Sequence, residues 1–319
     1  MWPELFRLPV IDVPLRSFGL LLGLGFLTAV WMGARLAARY GSDPKRDPER
    51  LYDVAWWVLI GVVAGARLAF VLINLPHYLE HPLDVVKIWE GGLVMYGGLI
   101  LALVLGGWKV KRLGMPLWRT ADYGLTAGFL GQAIGRLGCL AVGDDYGAPT
   151  SVPWAITFPD PLPRGSAFPP ELAGVPVHPT QLYLALAAFG LFLLGLWLLP
   201  RKRFHGQVVA VLLVAYAVSR FVIEAFRGDA LARRGLFRAG ATPEDAIARL
   251  AEHGVRVDPA GRIMDPDRYR ELLLQGVEGI RPELLLSTSQ MISIAVVVFG
   301  LGLYLVLGRR PELRVTPDA

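Results

Sequence analysis

The sequence predicts an all-α integral membrane protein with seven transmembrane helices and a small soluble piece set between the last two. Three observations predict it. The 319-residue chain is 54% hydrophobic and only 18% charged, against about 25% charged residues in an average soluble domain. Its apolar residues are gathered into long blocks, each near the ~20 residues that cross hydrocarbon. Three arginines, Arg67, Arg136 and Arg220, lie inside those blocks. Such an arginine costs about 3 kcal/mol on insertion scales and is kept where it meets a polar cavity or a partner.

The first block, 17–38, follows a stretch from Met1 to Arg16 with acids and prolines but no signal-type apolar core, so it is read as a retained helix. The next candidates are 53–75, 93–112 and 117–139; Gly106–Gly107 and Asp122 interrupt the third and fourth. Then come 178–199, 206–227 and 287–308. Basic residues follow spans 1, 3, 5 and 7: Arg39, Lys45, Arg46 and Arg50; Lys109, Lys111, Arg112 and Arg119; Arg201, Lys202 and Arg203; Arg309, Arg310 and Arg314. The opposite loops hold little more than Lys87 and Arg164. The positive-inside rule therefore expects the N-terminus outside and the C-terminus in the cytoplasm. This clustering also explains the net charge of +5 and pI near 9.4 by topology rather than by nucleic-acid binding.

The remaining piece, 229–286, carries nine arginines against ten acids. Long segments of this kind weigh little in the charge rule. Thr242-Pro243-Glu244 reads as a helix start, and Gly254 as a stop. Val255–Val257 and Arg262–Met264 around Asp258-Pro259-Ala260-Gly261 read as a hairpin, and Asp265-Pro266 as a second helix start. The expectation is a small α-β-β-α head on the outer side. The chain then divides into a transmembrane core (1–228), the head (229–286), and span 7 with a tail (287–319).

The polar residues of the spans share one depth. Arg67, Arg136, Arg220, Tyr96 and His178 all fall in the outer third of the predicted membrane. Tyr216, Arg220 and Glu224 are four apart and share a helix face, as do Gln132 and Arg136. Gly91-Gly92 and Gly97-Gly98 flank Tyr96, and paired glycines let a backbone approach a ligand closely. Each feature alone also has a plain structural reading. Arg220–Glu224 fits an interhelical ion pair, and Arg67 a snorkelling side chain. His178-Pro179-Thr180 fits a helix start, Asp144-Asp145 a solvated turn, and Cys139 a small buried apolar residue. Their coincidence at one depth favours a built anion site. Guanidinium groups bind phosphate bidentately and stabilise charge on a departing phosphate. A Walker motif, a GxGxxG after a strand and metal-ligand spacing are all missing from the sequence, so no cofactor and no metal are expected.

Several ordered motifs resemble the prolipoprotein diacylglyceryl transferase family. Gly135-Arg136-Leu137-Gly138 followed by Gly143-Asp144-Asp145-Tyr146-Gly147 is similar to its signature, as is His178-Pro179-Thr180-Gln181-Leu182-Tyr183. Gly65-Ala66-Arg67-Leu68, Trp89-Glu90-Gly91-Gly92-Leu93 through Gly97-Gly98-Leu99, and Arg220 through Arg227 match its second, third and sixth spans. The motifs span nearly the whole chain except 229–286. The resemblance implies transfer of the diacylglyceryl group of phosphatidylglycerol to the lipobox cysteine of an exported prolipoprotein, beside its signal peptide and among membrane lipids, in a bacterial inner membrane. It implies Arg136 on the phosphate and Arg220 on the leaving group; Tyr96, placed before Gly97-Gly98 at the outer start of span 3, is expected to activate or position the thiol. Arg67, Gly97, Gly98, Gln132, Asp144, Gly147, His178, Gln181, Tyr216 and Glu224 are the expected substrate-binding set. The chain departs from the family pattern at Tyr96 (usually His), Cys139 (usually Asn), Leu184 (usually Glu) and Phe18 (usually Tyr). A non-catalytic lipid-binding or transport protein on the same scaffold is the alternative. Transporters hold substrate near the midplane between inverted repeats, and neither is evident in the sequence.

Overall fold

The computed structural model describes residues 1–7, 14–87, 91–233, 235–258 and 262–315. Trp89 and Glu90 of the third-span motif, and the turn 259–261 of the expected hairpin, lie outside those residues. A short antiparallel ribbon of β1 (Glu4–Arg7) and β2 (Pro14–Arg16) leads into α1 (Ser17–Tyr40). Next are α2 (Asp47–Ile73), the short α3 (Leu75–Glu80), α4 (Met95–Arg112) and α5 (Leu117–Val142). A loop with the two-residue strands β3 (Ile156–Thr157) and β4 (Pro176–Val177) connects to α6 (Thr180–Leu198) and α7 (Gln207–Glu224). Then come α8 (Ala230–Arg233), β5 (Gly235–Phe237), α9 (Pro243–Glu252), α10 (Pro266–Leu274), β6 (Leu284–Ser287) and α11 (Thr288–Gly308).

Among the described residues, six helices are long and apolar enough to cross a membrane: α1, α2, α5, α6 with its 3-10 extension to Arg201, α7 and α11, with mean hydropathy from 1.4 to 2.5. The expected third span differs. Helix α4 is 18 residues long and ends in Lys109, Lys111 and Arg112, so no 18-residue stretch of it is free of that charge. The other spans sit close to their expected bounds, with two informative shifts. Helix α5 runs on to Val142 and stops at Gly143, whose left-handed φ of 80° caps it. Helix α7 stops at Glu224, so Arg227 lies in the turn beyond it.

Helix α5 is the hub of the bundle, packing on α1, α6 and α7, while α2 pairs with α4 and α7 with α11. The α2–α4 contact explains two glycines that read as ligand-facing. A Cβ on Gly97 would sit 2.4 Å from the Gly65 carbonyl oxygen, and one on Gly65 2.4 Å from that of Gly97. These glycines admit a neighbouring helix backbone, the small-residue packing that holds helices together in lipid. Gly98 is likewise closed by the Val62 carbonyl oxygen at 2.7 Å. Leu20, Leu24, Leu27, Trp56, Leu103 and Val298 stay exposed on the outer faces, which a soluble monomer rarely tolerates. Asp122, a charge inside α5, is fully buried and accepts from Lys202 Nζ (2.8 Å) and from the amides of Gly206 (3.0 Å) and Val209 (3.1 Å) at the start of α7. It caps the next helix but one, where the helix dipole favours a negative charge.

Within 229–286, Thr242 and Asp245 close a reciprocal capping box at α9. The Val257–Ile263 bridge stands where the hairpin was expected, and α10 begins beside Asp265-Pro266. The β5–β6 ribbon is an addition, joining both ends of the segment beside α11. The segment also shares its core with the α5–α6 loop. Phe158, Phe168, Leu172 and Val177 pack with Leu250, Val255, Tyr269, Leu272 and Ile280 in one buried cluster.

Candidate functional site

Three motif-bearing segments meet at one end of the bundle: the turn 143–147 after α5, residues 178–181 at the start of α6, and residues 225–228 after α7. Backbone contacts knit them. Ala148 N donates to Phe226 O (2.8 Å), Gly228 N to Tyr146 O (3.0 Å) and His178 N to Ala148 O (3.0 Å). Gly147 is where they come closest, since a Cβ there would lie 2.2 Å from the His178 carbonyl oxygen. Fully buried Thr180 and Gln181 clasp the turn from the side: Thr180 Oγ1 donates to Asp145 O and Gln181 Nε2 to Asp144 O, both at 2.7 Å. Together these contacts hold Asp145 at φ 54°, a left-handed conformation that persists in a non-glycine residue only when its surroundings impose it.

The clasp aims the Asp145 carboxylate between two arginines. Arg136 Nη1 donates to Oδ2 at 2.5 Å and Arg227 Nη2 to Oδ1 at 2.6 Å. Burial pushes the Asp145 carboxyl up, but the Arg227 and then the Arg136 charge outweigh it and hold it below the usual aspartate value. Arg227 is itself buried and reaches on to Asp229, through Nε at 2.9 Å and through Nη2. Arg233 closes the circuit: it lies 3.4 Å from Asp229 and donates to the carbonyl oxygens of Glu224 (2.7 Å) and Arg227 (3.1 Å). Glu224, with no exposure, pairs with Arg220 Nη1 at 2.6 Å and accepts from Ser287 Oγ at 2.9 Å. Arg220 Nη2 donates to Ser289 Oγ at 3.2 Å. The result is a chain of ion pairs joining Arg136, Arg227, Arg233 and Arg220 through Asp145, Asp229 and Glu224.

Arg136, Arg220, Glu224, Asp144, Gly147, His178 and Gln181 thus lie together at this end of the bundle. Asp144 serves through its backbone carbonyl, while its carboxylate accepts from the Asp145 amide at 2.8 Å. His178 Nδ1 lies 3.3 Å from the Tyr183 hydroxyl, which also accepts from Trp154 Nε1 at 2.7 Å, and its ring meets Phe226 edge-on. Burial lowers the His178 pKa and favours the neutral ring. Tyr216 packs on Phe129 one turn before Arg220. Gln132 is half-buried on α5, one turn before Arg136, and forms no hydrogen bond among the described residues.

Arg67 is spent elsewhere. Its guanidinium donates to the carbonyl oxygens of Asp84 (2.5 Å), Val85 (2.9 Å), Gly91 (2.8 Å) and Gly92 (3.2 Å), tying down the loop between α2 and α4. Gly97 and Gly98 lie in the α2–α4 contact. Tyr96 is 47% exposed near the start of α4, and its hydroxyl has no hydrogen bond among the described residues. Sequence reasoning placed Asp145, Thr180 and Arg227 in the matched motifs without a site role, and did not single out Asp229, Arg233, Ser287 or Ser289. The available signal was Arg227 itself, seven residues from Arg220 and followed by Gly228-Asp229. Among the described residues no group of three or more His, Cys, Asp or Glu is gathered as metal ligands would be.

A family model described as prolipoprotein diacylglyceryl transferase matches residues 3–243. Three curated relatives carry the name phosphatidylglycerol–prolipoprotein diacylglyceryl transferase. The one from Thermosynechococcus vestitus is 35% identical, over 69% of this chain and 80% of its own length. That from Geobacter sulfurreducens is 37% identical, over 70% and 82%. That from Bordetella bronchiseptica is 33% identical over 92% of both chains, extending the likeness past residue 243 where the family model stops. The chain belongs to the prolipoprotein diacylglyceryl transferase family.

Proposed function

We propose that this protein transfers the diacylglyceryl group of phosphatidylglycerol to the lipobox cysteine thiol of an exported prolipoprotein, at the outer leaflet of a bacterial inner membrane. The sulfur–carbon bond forms as the glyceryl carbon–oxygen bond breaks. The electron pair leaves with the phosphate oxygen as glycerol phosphate, and the thiol proton passes to a base. The nucleophile belongs to the substrate, so the protein supplies an anion site and a means of activating or positioning the thiol.

The ion-pair chain carries this reading. Its four arginines stand against the three carboxylates they pair with, and the Asp144 carboxylate lies beside Asp145. The Arg136 side chain keeps 19% exposure and Arg220 14%, and each presents guanidinium donors with no hydrogen bond among the described residues. Arg136 is assigned to the substrate phosphate and Arg220 to the charge developing on the leaving group. Glu224 and Asp145 act as positioning residues for the two forks. Tyr96 is assigned to the acceptor thiol through its free, exposed hydroxyl. Arg67 positions the loop from which α4 and Tyr96 start, and so serves the site at one remove. In this reading α4 crosses the membrane as the third of seven spans, its basic end in the cytoplasm, and the 229–286 segment faces outward.

A lipid-binding or transport role without chemistry is not favoured, given the family assignment. Purified protein with phosphatidylglycerol and a lipobox peptide is expected to yield thioether-linked diacylglyceryl peptide. Wild-type levels of product from Arg136→Ala or Arg220→Ala would overturn that arginine's role.

A further inference from the structure

The other end of the bundle holds a basic cavity, of about 300 Å³, a size at the lower end of ligand pockets. Arg119 opens α5 and Arg136 lies 17 residues on, so the cavity sits ~26 Å along the helix from the ion-pair chain. Its lining includes Arg39, Tyr40, Arg119, Lys202, His205 and Arg314, and no acidic residue among the described residues. We propose that this cavity is an anion-binding site for a phosphate group, presented by a phospholipid headgroup or free in solution.

The lining is built rather than merely crowded. Arg119 Nε donates to Tyr40 O at 2.7 Å, fixing the arginine across the end of α1. The C-terminal stretch folds back to deliver Arg314. His205 N donates to Leu313 O and Val315 N to Arg203 O, both at 2.9 Å, with Phe204 and Arg314 bridged between them. Lys202 is neutralised by Asp122. Arg39, Arg119 and Arg314 form no ion pair among the described residues. Three guanidinium groups from distant parts of the chain thus converge with no acidic partner among the described residues. The positive-inside rule asks only for a count of basic residues near the membrane; it does not ask them to enclose a cavity.

His205 reports the field inside. Its Nδ1 is buried without a hydrogen-bond partner among the described residues. Burial, with the charges of Lys202 and Arg119, pushes its pKa down to about 4. An incoming anion would relieve the repulsion. Arginine forks match phosphate oxygens bidentately, and basic pockets between transmembrane helices suit lipid head groups.

The test places wild type and the Arg39→Gln/Arg314→Gln double variant in phosphatidylcholine nanodiscs. One arm adds phosphatidic acid and counts retained anionic lipid by native mass spectrometry. The other omits it and titrates inorganic phosphate, reading the thermal midpoint. Both residues are exposed, and circular dichroism checks that the variant folds. Retention by wild type at least tenfold above the variant assigns the site to a headgroup. A phosphate-dependent rise in midpoint confined to wild type assigns it to soluble phosphate. Lysine at both positions should restore whichever response is seen. Equal behaviour of wild type and a folded double variant in both arms would overturn the proposal.

Discussion

Asp145 is the residue on which the site turns. Its ionised carboxylate joins Arg136 to Arg227, and its folded pKa lies below the ordinary aspartate value. A depressed value means that the ionised form contributes stability above the ordinary range, and that this contribution is lost as pH falls toward the folded value. Asp145→Asn should therefore melt below wild type at neutral pH, and the gap should begin to close near pH ~4 and disappear as pH falls on through the depressed folded value. A gap independent of pH would deny the ion pairs their role. For the chemistry, Arg136→Ala and Arg220→Ala are each expected to lower turnover about 10²–10³-fold, the scale of losing one preorganised anion-stabilising donor, in a protein that still folds. Tyr96→Phe removes only a hydroxyl with no partner among the described residues. A fall in rate or a changed pH profile is expected if that oxygen meets the thiol, and an untouched profile would reduce Tyr96 to packing. Arg136, Arg220 and Glu224 are legible in the sequence because a charge inside an apolar block is too costly to be idle. Asp145 is not, because a carboxylate in a Gly-Asp-Asp turn looks like any solvated turn, and its partner Arg227 lies 82 residues away.

At the scale of elements, the motifs act on one another. The Thr180-Gln181 pair exists to hold the 144–145 backbone, so Thr180→Val should loosen Asp145 without touching any charge. A drop in turnover with little change in phosphatidylglycerol affinity is expected. Unchanged turnover in a folded Thr180→Val protein would mean the clasp is not needed. The α2–α4 contact is equally specific. A methyl at Gly97 would collide with the Gly65 carbonyl and the Ala69 side chain, and overpacking of this kind costs about 1–3 kcal/mol. Gly97→Ala should lower the thermal midpoint even with no lipid substrate present. A midpoint unchanged without substrate, together with weakened lipid binding, would restore the ligand-facing reading. Helix positions are legible from apolar blocks because length and hydropathy set them. Whether a glycine faces a ligand or a helix is not, because both need the same absent side chain.

Over the whole molecule, the 229–286 segment is less separable than its composition suggests. Asp229 and Arg233 belong to the ion-pair chain, and α9 and α10 share a core with the α5–α6 loop. Composition locates the segment because its charges balance and its helix starts are local signals. The shared core escapes it because those contacts join residues about a hundred positions apart. Replacing only 239–282 with a Gly/Ser linker spares the ion pairs, and is expected to weaken acceptor affinity more than maximal rate. Loss of maximal rate at saturating acceptor, in a folded protein, would put part of the active site in the segment. The most direct measurement of all follows both products at once: reconstituted protein, phosphatidylglycerol and a lipobox peptide, with glycerol phosphate and lipidated peptide quantified together. One glycerol phosphate released per thioether formed, abolished in Arg136→Ala, is the expected result. Phosphatidylglycerol bound but never consumed, in wild type and variant alike, would contradict it.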